Sequence, residues 1–357
     1  MKAGAQTAAP LPGRHLRAAG GRVSVRVRPR TLAVGVVLVV AALATGVVSI
    51  RFGDPHVPFR TAFDVFTGRA DTASGFIVVH LALPRVAAAW LAGAALGASG
   101  AIFQSLTRNP LGSPEVIGFN SGAAAGAILA IIYLPSWQYG IGVVAVASGL
   151  LTAAAVYLLA WRRGMRGYRL ILVGIATTAI LQAVNTYLLA RADLLVAKDA
   201  NIWQYGSLNA KTWSEVGSVA VALAALLPVL AVLSRRLDLL EMGDETAAAL
   251  GVPAERSRLA FVALGTVLAA VAVGIAGPVA FVALAAPQLA RRLTRGTGPH
   301  LAPAAAMGAL LLVAADFVAQ HAIPSTNLPV GLATGALGGA YLCWLLAHEW
   351  RSGRMRG

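Results

Sequence analysis

Apolar stretches of about 20 residues recur from Thr31 to Ala347, each long enough to cross a hydrocarbon core of roughly 30 Å. Hydrocarbon offers no water to backbone N–H and C=O groups, so each stretch is expected to be a helix that satisfies its own backbone. The 357-residue chain is 58% hydrophobic and only 12% charged, and its mean hydropathy is +0.73. These values exclude an ordinary soluble enzyme, a disordered regulator and a nucleic-acid-binding domain. The formal charge of +15 does not reverse this, because Arg and Lys collect in an N-terminal tail and in short connections. That placement is an orientation signal for a multi-span membrane protein.

The clear spans are Thr31–Ile50, Arg85–Leu106, Glu115–Leu134, Tyr139–Trp161, Leu170–Ala190, Trp213–Leu233, Arg258–Ala276, Pro303–Gln320 and Pro329–Ala347. Charge parity adds a tenth. With the basic tail 1–30 inside, 51–84 is outside and carries three Arg against three Asp. Arg162, Arg163, Arg166 and Arg169 fall inside with no acid among them, whereas 191–215 is outside and balanced. Nine spans would place Arg291, Arg292 and Arg295 outside. A short crossing at Pro278–Ala290 returns them inside together with the C-terminal tail 351–357. Such a short element is tolerable where protein surrounds it.

The tail 1–30 holds basic residues without an acid and is expected to be flexible. A signal peptide is the competing reading of basic-then-apolar sequence, but the run after it is long and Arg51–Pro55 is a poor cleavage site. One helical bundle, 31–350, follows as a single domain. Gly93, Gly97 and Gly100, then Gly122 and Gly126, then Gly331 and Gly335 stand at the spacing that lets membrane helices approach closely. Gln104, Gln182, Asn185, Gln288 and Asp316 are the main polar residues within the spans. They are too few in ionisable groups for a simple proton or sodium carrier. If the chain transports a solute actively, the energy is expected to come from another protein.

The internal segment 235–257 differs from the other connections. Asp244 is expected to cap a short helix over Glu245–Leu250, Gly251 to close it, and Pro253 to prevent its continuation. From periodicity alone this is an interfacial helix or a contact for a partner.

Residues 92–104 (Ala-Gly-Ala-Ala-Leu-Gly-Ala-Ser-Gly-Ala-Ile-Phe-Gln) and 108–118 (Arg-Asn-Pro-Leu-Gly-Ser-Pro-Glu-Val-Ile-Gly) resemble the hallmark of FecCD/BtuC-type permeases of ABC importers. Leu83-Pro-Arg85, the run 276–288 and Leu328-Pro-Val-Gly331 match in family order over nearly the whole chain. The resemblance implies an all-α, ten-span type II ABC importer permease in the bacterial cytoplasmic membrane, with both termini cytoplasmic. It implies a dimer with a second permease copy or a homologous permease, and a solute path at their interface. Two cytoplasmic ABC ATPases would bind ATP and Mg, leaving this chain without cofactor or catalytic residues. An extracytoplasmic solute-binding protein would deliver the substrate.

On that resemblance, Glu241, Asp244, Glu245, Ala249 and Gly251 belong to the element coupled to the ATPase. Arg85 matches a basic position that docks the binding protein, although it also suits an interfacial arginine. Gln104, Asn109, Trp203 and Asn327 are path or gate candidates, each with an alternative in helix packing, turn formation or interfacial anchoring. Ala82 and Gln320 depart from the basic pattern of cobalamin-type members, and Asn327 stands where Glu often precedes Leu-Pro-Val/Ile-Gly in the family. The stretch Trp203–Asn209 is similar to one frequent in ferric-siderophore members. The implied substrate is a ferric siderophore, with haem or cobalamin as alternatives and a non-transporting scaffold or sensor as a different class. The dispersed His15, His56, His80, His300, His321 and His348 give no metal site.

Overall fold

A computed structural model describes residues 14–18, 23–52, 75–134, 140–161, 167–296, 298–323 and 328–351. The chain is a multi-span helical membrane bundle. Among the described residues, seven helical stretches are long and apolar enough to cross a membrane, and Phe119–Tyr133 and Val330–Trp344 are shorter apolar helices. Within the N-terminal segment, β1 (Arg14–Ala18) and β2 (Val23–Val27) pair as an antiparallel hairpin, with Arg14 opposite Val27.

The first half comprises α1 (Pro29–Phe52), α2 (Leu83–Thr107), α3 (Phe119–Tyr133), α4 (Ile141–Ala160), α5 (Gly167–Arg191) and α6 (Leu194–Gln204). The second comprises α7 (Trp213–Glu241), α8 (Asp244–Ala249), α9 (Ala254–Ala276), α10 (Val282–Thr294), α11 (Leu301–His321) and α12 (Val330–Arg351). A six-residue π-helix, Ile77–Ala82, leads into α2. Trp213 Nε1 donates to the Val79 carbonyl in that irregular turn at 2.7 Å.

Helix α2 is the buried centre, packed by α11, α9, α10 and α7. Its small residues make this possible. A Cβ at Gly93 or Gly97 would collide with the backbone of Gly308 or Ala304, and one at Gly100 with the Ala283 carbonyl. Pro287 has no N–H to offer the Ala283 carbonyl four residues earlier in α10. That carbonyl instead lies against Gly100, where only glycine leaves room. Gly122 and Gly126 likewise receive Thr152 and Ser148 of α4, and Gly331 the Tyr205 carbonyl. Gly335 differs, because a Cβ there would meet nothing within 4 Å.

Several expected boundaries shift for local reasons. No helix breaker stands between Leu233 and Glu241, so α7 runs on through the polar Arg235 and Arg236 instead of becoming a loop at Ser234. The short crossing begins later than Pro278. Residues 278–281 are non-helical, and α10 continues past Ala290 to Thr294. The span expected from Glu115 starts as a 3-10 turn over Pro114–Ile117, and α3 follows the left-handed Gly118.

Arg30, Arg108, Arg258 and Arg291 gather at one end, the basic end. Arg30 Nε donates to the Leu293 carbonyl at 3.1 Å, and the ends of α2, α7 and α10 meet there with the start of α9. The opposite end joins the end of α1 to α11, where a His321 ring nitrogen lies 2.5 Å from the Phe52 carbonyl.

Candidate functional site

At the basic end, α7 stops at Glu241 and the chain turns through Gly243, whose φ is 118°. Gly243, not Asp244, occupies the N-cap of α8, and no side chain caps that end. Glycine is suited to this backbone conformation, whereas aspartate is displaced into the first helical turn. There Asp244 Oδ1 accepts from Arg108 Nη2 at 3.0 Å and from Arg258 Nη2 at 2.7 Å.

The far end of α8 closes as its sequence predicts. Gly251 has φ +80°, its N–H donates to the Ala248 carbonyl, and the Val252 N–H reaches the Ala247 carbonyl. This reciprocal pairing satisfies the last carbonyls of the helix, with Ala247 and Val252 buried beneath it. Glu245, Ala249 and Leu250 stay exposed.

Glu241 points inward. Its Oε1 accepts from the Ser105 hydroxyl and from Arg291 Nη2, the latter at 3.3 Å. Arg108 is the left-handed cap of α2, with φ 50°, and its Nη2 also donates to the Leu240 carbonyl at 3.0 Å. Asn109 holds the following turn, its Oδ1 accepting the Leu111 N–H at 2.9 Å. Gln288 Nε2 donates to the Pro110 carbonyl at 2.7 Å, fastening this turn to α10.

Asp238 and His300 lie close by. Burial lowers the His300 imidazole, reinforced by Arg28 and Arg291 and opposed by a hydrogen bond with Gly296 and the Glu241 charge.

Deeper in the bundle, Gln104 is buried and its Nε2 donates to the Leu284 carbonyl at 2.9 Å, joining α2 to α10. Glu115 Oε1 accepts the Phe281 N–H at 3.2 Å, next to the start of α10. A carboxylate there complements the positive end of the helix dipole. Trp203 is half-buried and packs on the cluster containing Phe103 and Phe119. Asn327 lies outside the described residues.

At the opposite end, Arg85 Nε and Nη2 lie 2.9 Å from the two carboxylate oxygens of Asp316, and Gln320 Nε2 donates to the same carboxylate at 2.8 Å. Arg85 and Asp316 both stand out in the sequence, but their pairing does not. The signal was present, since an acid within a span calls for a countercharge at its own depth. Ser105, Arg258 and Arg291 were also missed, being an ordinary serine and two of many basic-end arginines. Among the described residues no group of three or more His, Cys, Asp or Glu could hold a metal ion.

The ferric enterobactin transport system permease protein FepG of Escherichia coli strain K12 is 45% identical over 322 residues, spanning 90% of this chain and 98% of that protein. The hemin transport system permease protein HmuU of Yersinia pestis is 35% identical, spanning 92% and 99%. A metal-chelate type ABC transporter solved in an inward-facing conformation has a TM-score of 0.78 at 26% identity, covering 89% of this chain and 99% of that one. The sequence model of the FecCD transport family matches residues 38–348. This chain belongs to the FecCD transport family.

Proposed function

We propose that the chain is the permease subunit of an ATP-driven importer of ferric-siderophore complexes in the bacterial cytoplasmic membrane. The observation that carries the reading is its 45% identity, over nearly the full length of both chains, to a ferric enterobactin transport permease. The chain is a transport component and not an enzyme.

The finer architecture is ten crossings, made by α1 to α5, α7 and α9 to α12, with α10 as a short element enclosed by protein. The basic end is cytoplasmic, as the Arg and Lys bias favours, and both termini lie there. A second copy, or a homologous permease, packs against this chain to enclose the solute path. Two surfaces support that partner: α5 exposes Gln182, Thr186 and Tyr187, and Gly335 on α12 faces no neighbour within the chain.

The α8 segment is the contact for one of the two cytoplasmic ABC ATPases of the assembly, which bind ATP and Mg. Its exposed Glu245, Ala249 and Leu250 form the docking face, and Gly251 sets how the segment leaves it. Arg85 stands at the outer end, where an extracytoplasmic binding protein docks. Gln104, Asn109, Trp203 and Asn327 serve the path or its gates, Gln104 and Asn109 by holding helices and a turn in place.

The test is radiolabelled iron uptake in a strain lacking the gene and in the same strain with it restored. Ferric enterobactin, hydroxamate complexes, haem and labelled cobalamin are supplied separately. Restored uptake of a ferric siderophore is the expected result. Restoration of haem uptake alone would move the substrate toward that of the hemin relative, and dependence of no compound on the gene would contradict the importer reading.

A further inference from the structure

We infer that Glu241 and Asp244 are positioning residues, which tie the coupling segment to the inner turn at 108–112 and to α10 so that the three move as one body. This deepens the importer reading and rests on it. The two carboxylates face arginines from three different elements. Asp244 takes Arg108 at the end of α2 and Arg258 in α9, while Glu241 takes Arg291 in α10.

The geometry joins the elements at several points. Arg108 Nη2 bridges both sides of the break at Gly243, reaching the Leu240 carbonyl before it and Asp244 after it. Ser105, Glu241 and Arg291 close a triangle, with Arg291 Nη2 also donating to Ser105 Oγ at 3.2 Å. Beyond it, Gln104 holds Leu284 and Gln288 holds Pro110, so α2, the inner turn and α10 are already bound to one another.

Helix α8 spans only six residues, too few to be stable or directional alone. It buries Ala247 beneath itself and presents Glu245, Ala248 and Ala249 outward. A push on its outer face therefore needs a stiff inward link to reach the spans, and the two carboxylates supply one. The Asp244 pairs are solvent-exposed on the acidic side, where such links add little to stability. Their value lies in directing motion.

The test uses the whole complex in proteoliposomes, with its ATPases and binding protein, comparing wild type with Glu241→Gln/Asp244→Asn. The expected result is ferric-siderophore uptake per ATP hydrolysed reduced about fivefold or more. Asp244→Glu, which keeps the carboxylate, stays near the wild-type ratio. A second readout needs no substrate: spin labels at Leu111→Cys and Met242→Cys, in a Cys343→Ser background, report the distance between the inner turn and the coupling segment. Both leucine and methionine are exposed.

That distance is expected to stay single and unchanged when nucleotide is trapped with vanadate, and to broaden in the double variant. A nucleotide-driven change in the wild-type distance would overturn the inference. So would a double variant with unaltered distance and uptake per ATP, or one that loses its ATPase. Failure of the wild-type complex to import any ferric siderophore would instead strike the importer reading, while the labels still decide the link.

Discussion

Arg85 and Asp316, 231 residues apart in sequence, form a two-pronged ion pair between α2 and α11. The two ends are unequal, since the Arg85 side chain is 16% exposed and that of Asp316 only 1%. Removing the arginine leaves a buried carboxylate with Gln320 as its remaining donor in this set, whereas removing the acid leaves a guanidinium that water can reach. Arg85→Ala should therefore cost about 3–5 kcal/mol and Asp316→Asn less. Thermal unfolding in detergent checks the order, and equal losses would contradict it. Binding-protein affinity, measured on a folded Arg85→Gln/Asp316→Asn chain, tests the proposed docking role separately.

The glycines on α2 and α12 should respond in opposite ways. A methyl at Gly100 meets the Ala283 carbonyl, which belongs to rigid backbone and cannot rotate away. Gly100→Ala should lower stability by about 1–3 kcal/mol or more and reduce the amount of folded protein recovered. Gly335→Ala meets nothing within the chain and should leave monomer stability unchanged. Any effect of Gly335→Leu should appear in pairing with the second permease, read by light scattering of the detergent complex.

His300 should make the basic end sensitive to acid. Its imidazole is held below the ordinary histidine range, chiefly by burial. The folded protein favours the neutral ring, so the unfolded chain binds more protons as pH falls through the ordinary histidine range, and stability declines. Melting temperature should drop between about pH 7.5 and 5.5, and less so in His300→Asn. Asparagine also accepts the left-handed φ of 46° found at this helix start. A variant with the same acid sensitivity as wild type would assign it elsewhere.

The exposed face of α8 gives a different prediction from its inward carboxylates. Glu245→Ala and Leu250→Ala change side chains that point away from the bundle. They should leave the melting temperature of the isolated permease unaltered while weakening ATPase association. Co-purification at increasing salt measures this, and full retention in the double variant would move the docking face elsewhere.

Much of the fold was legible because hydrophobic length and arginine parity are global signals. The return of Arg291 to the end that holds Arg108 and Arg30 followed from parity alone. The ends of elements were less legible because they depend on backbone detail. Hydropathy ends at Leu233, yet the helix continues to Glu241, since charged residues leave apolar surroundings without breaking helical hydrogen bonds. The closure at Gly251 could be anticipated from glycine followed by proline. The displacement of Asp244 from the cap by Gly243 depended on a φ of 118° that composition does not reveal. The partners of Arg85 and Glu241 lie 50 or more residues away in sequence, and only packing brings them together.

The central claim is that this chain passes a ferric siderophore at the expense of ATP hydrolysed by associated subunits. The most direct measurement is uptake of radiolabelled ferric enterobactin into proteoliposomes containing the purified permease, its ATPases and its binding protein. Uptake that requires ATP on the ATPase side and is abolished by omitting this chain is the predicted result. A fully assembled complex that hydrolyses ATP but accumulates neither ferric enterobactin nor any other ferric siderophore would contradict it.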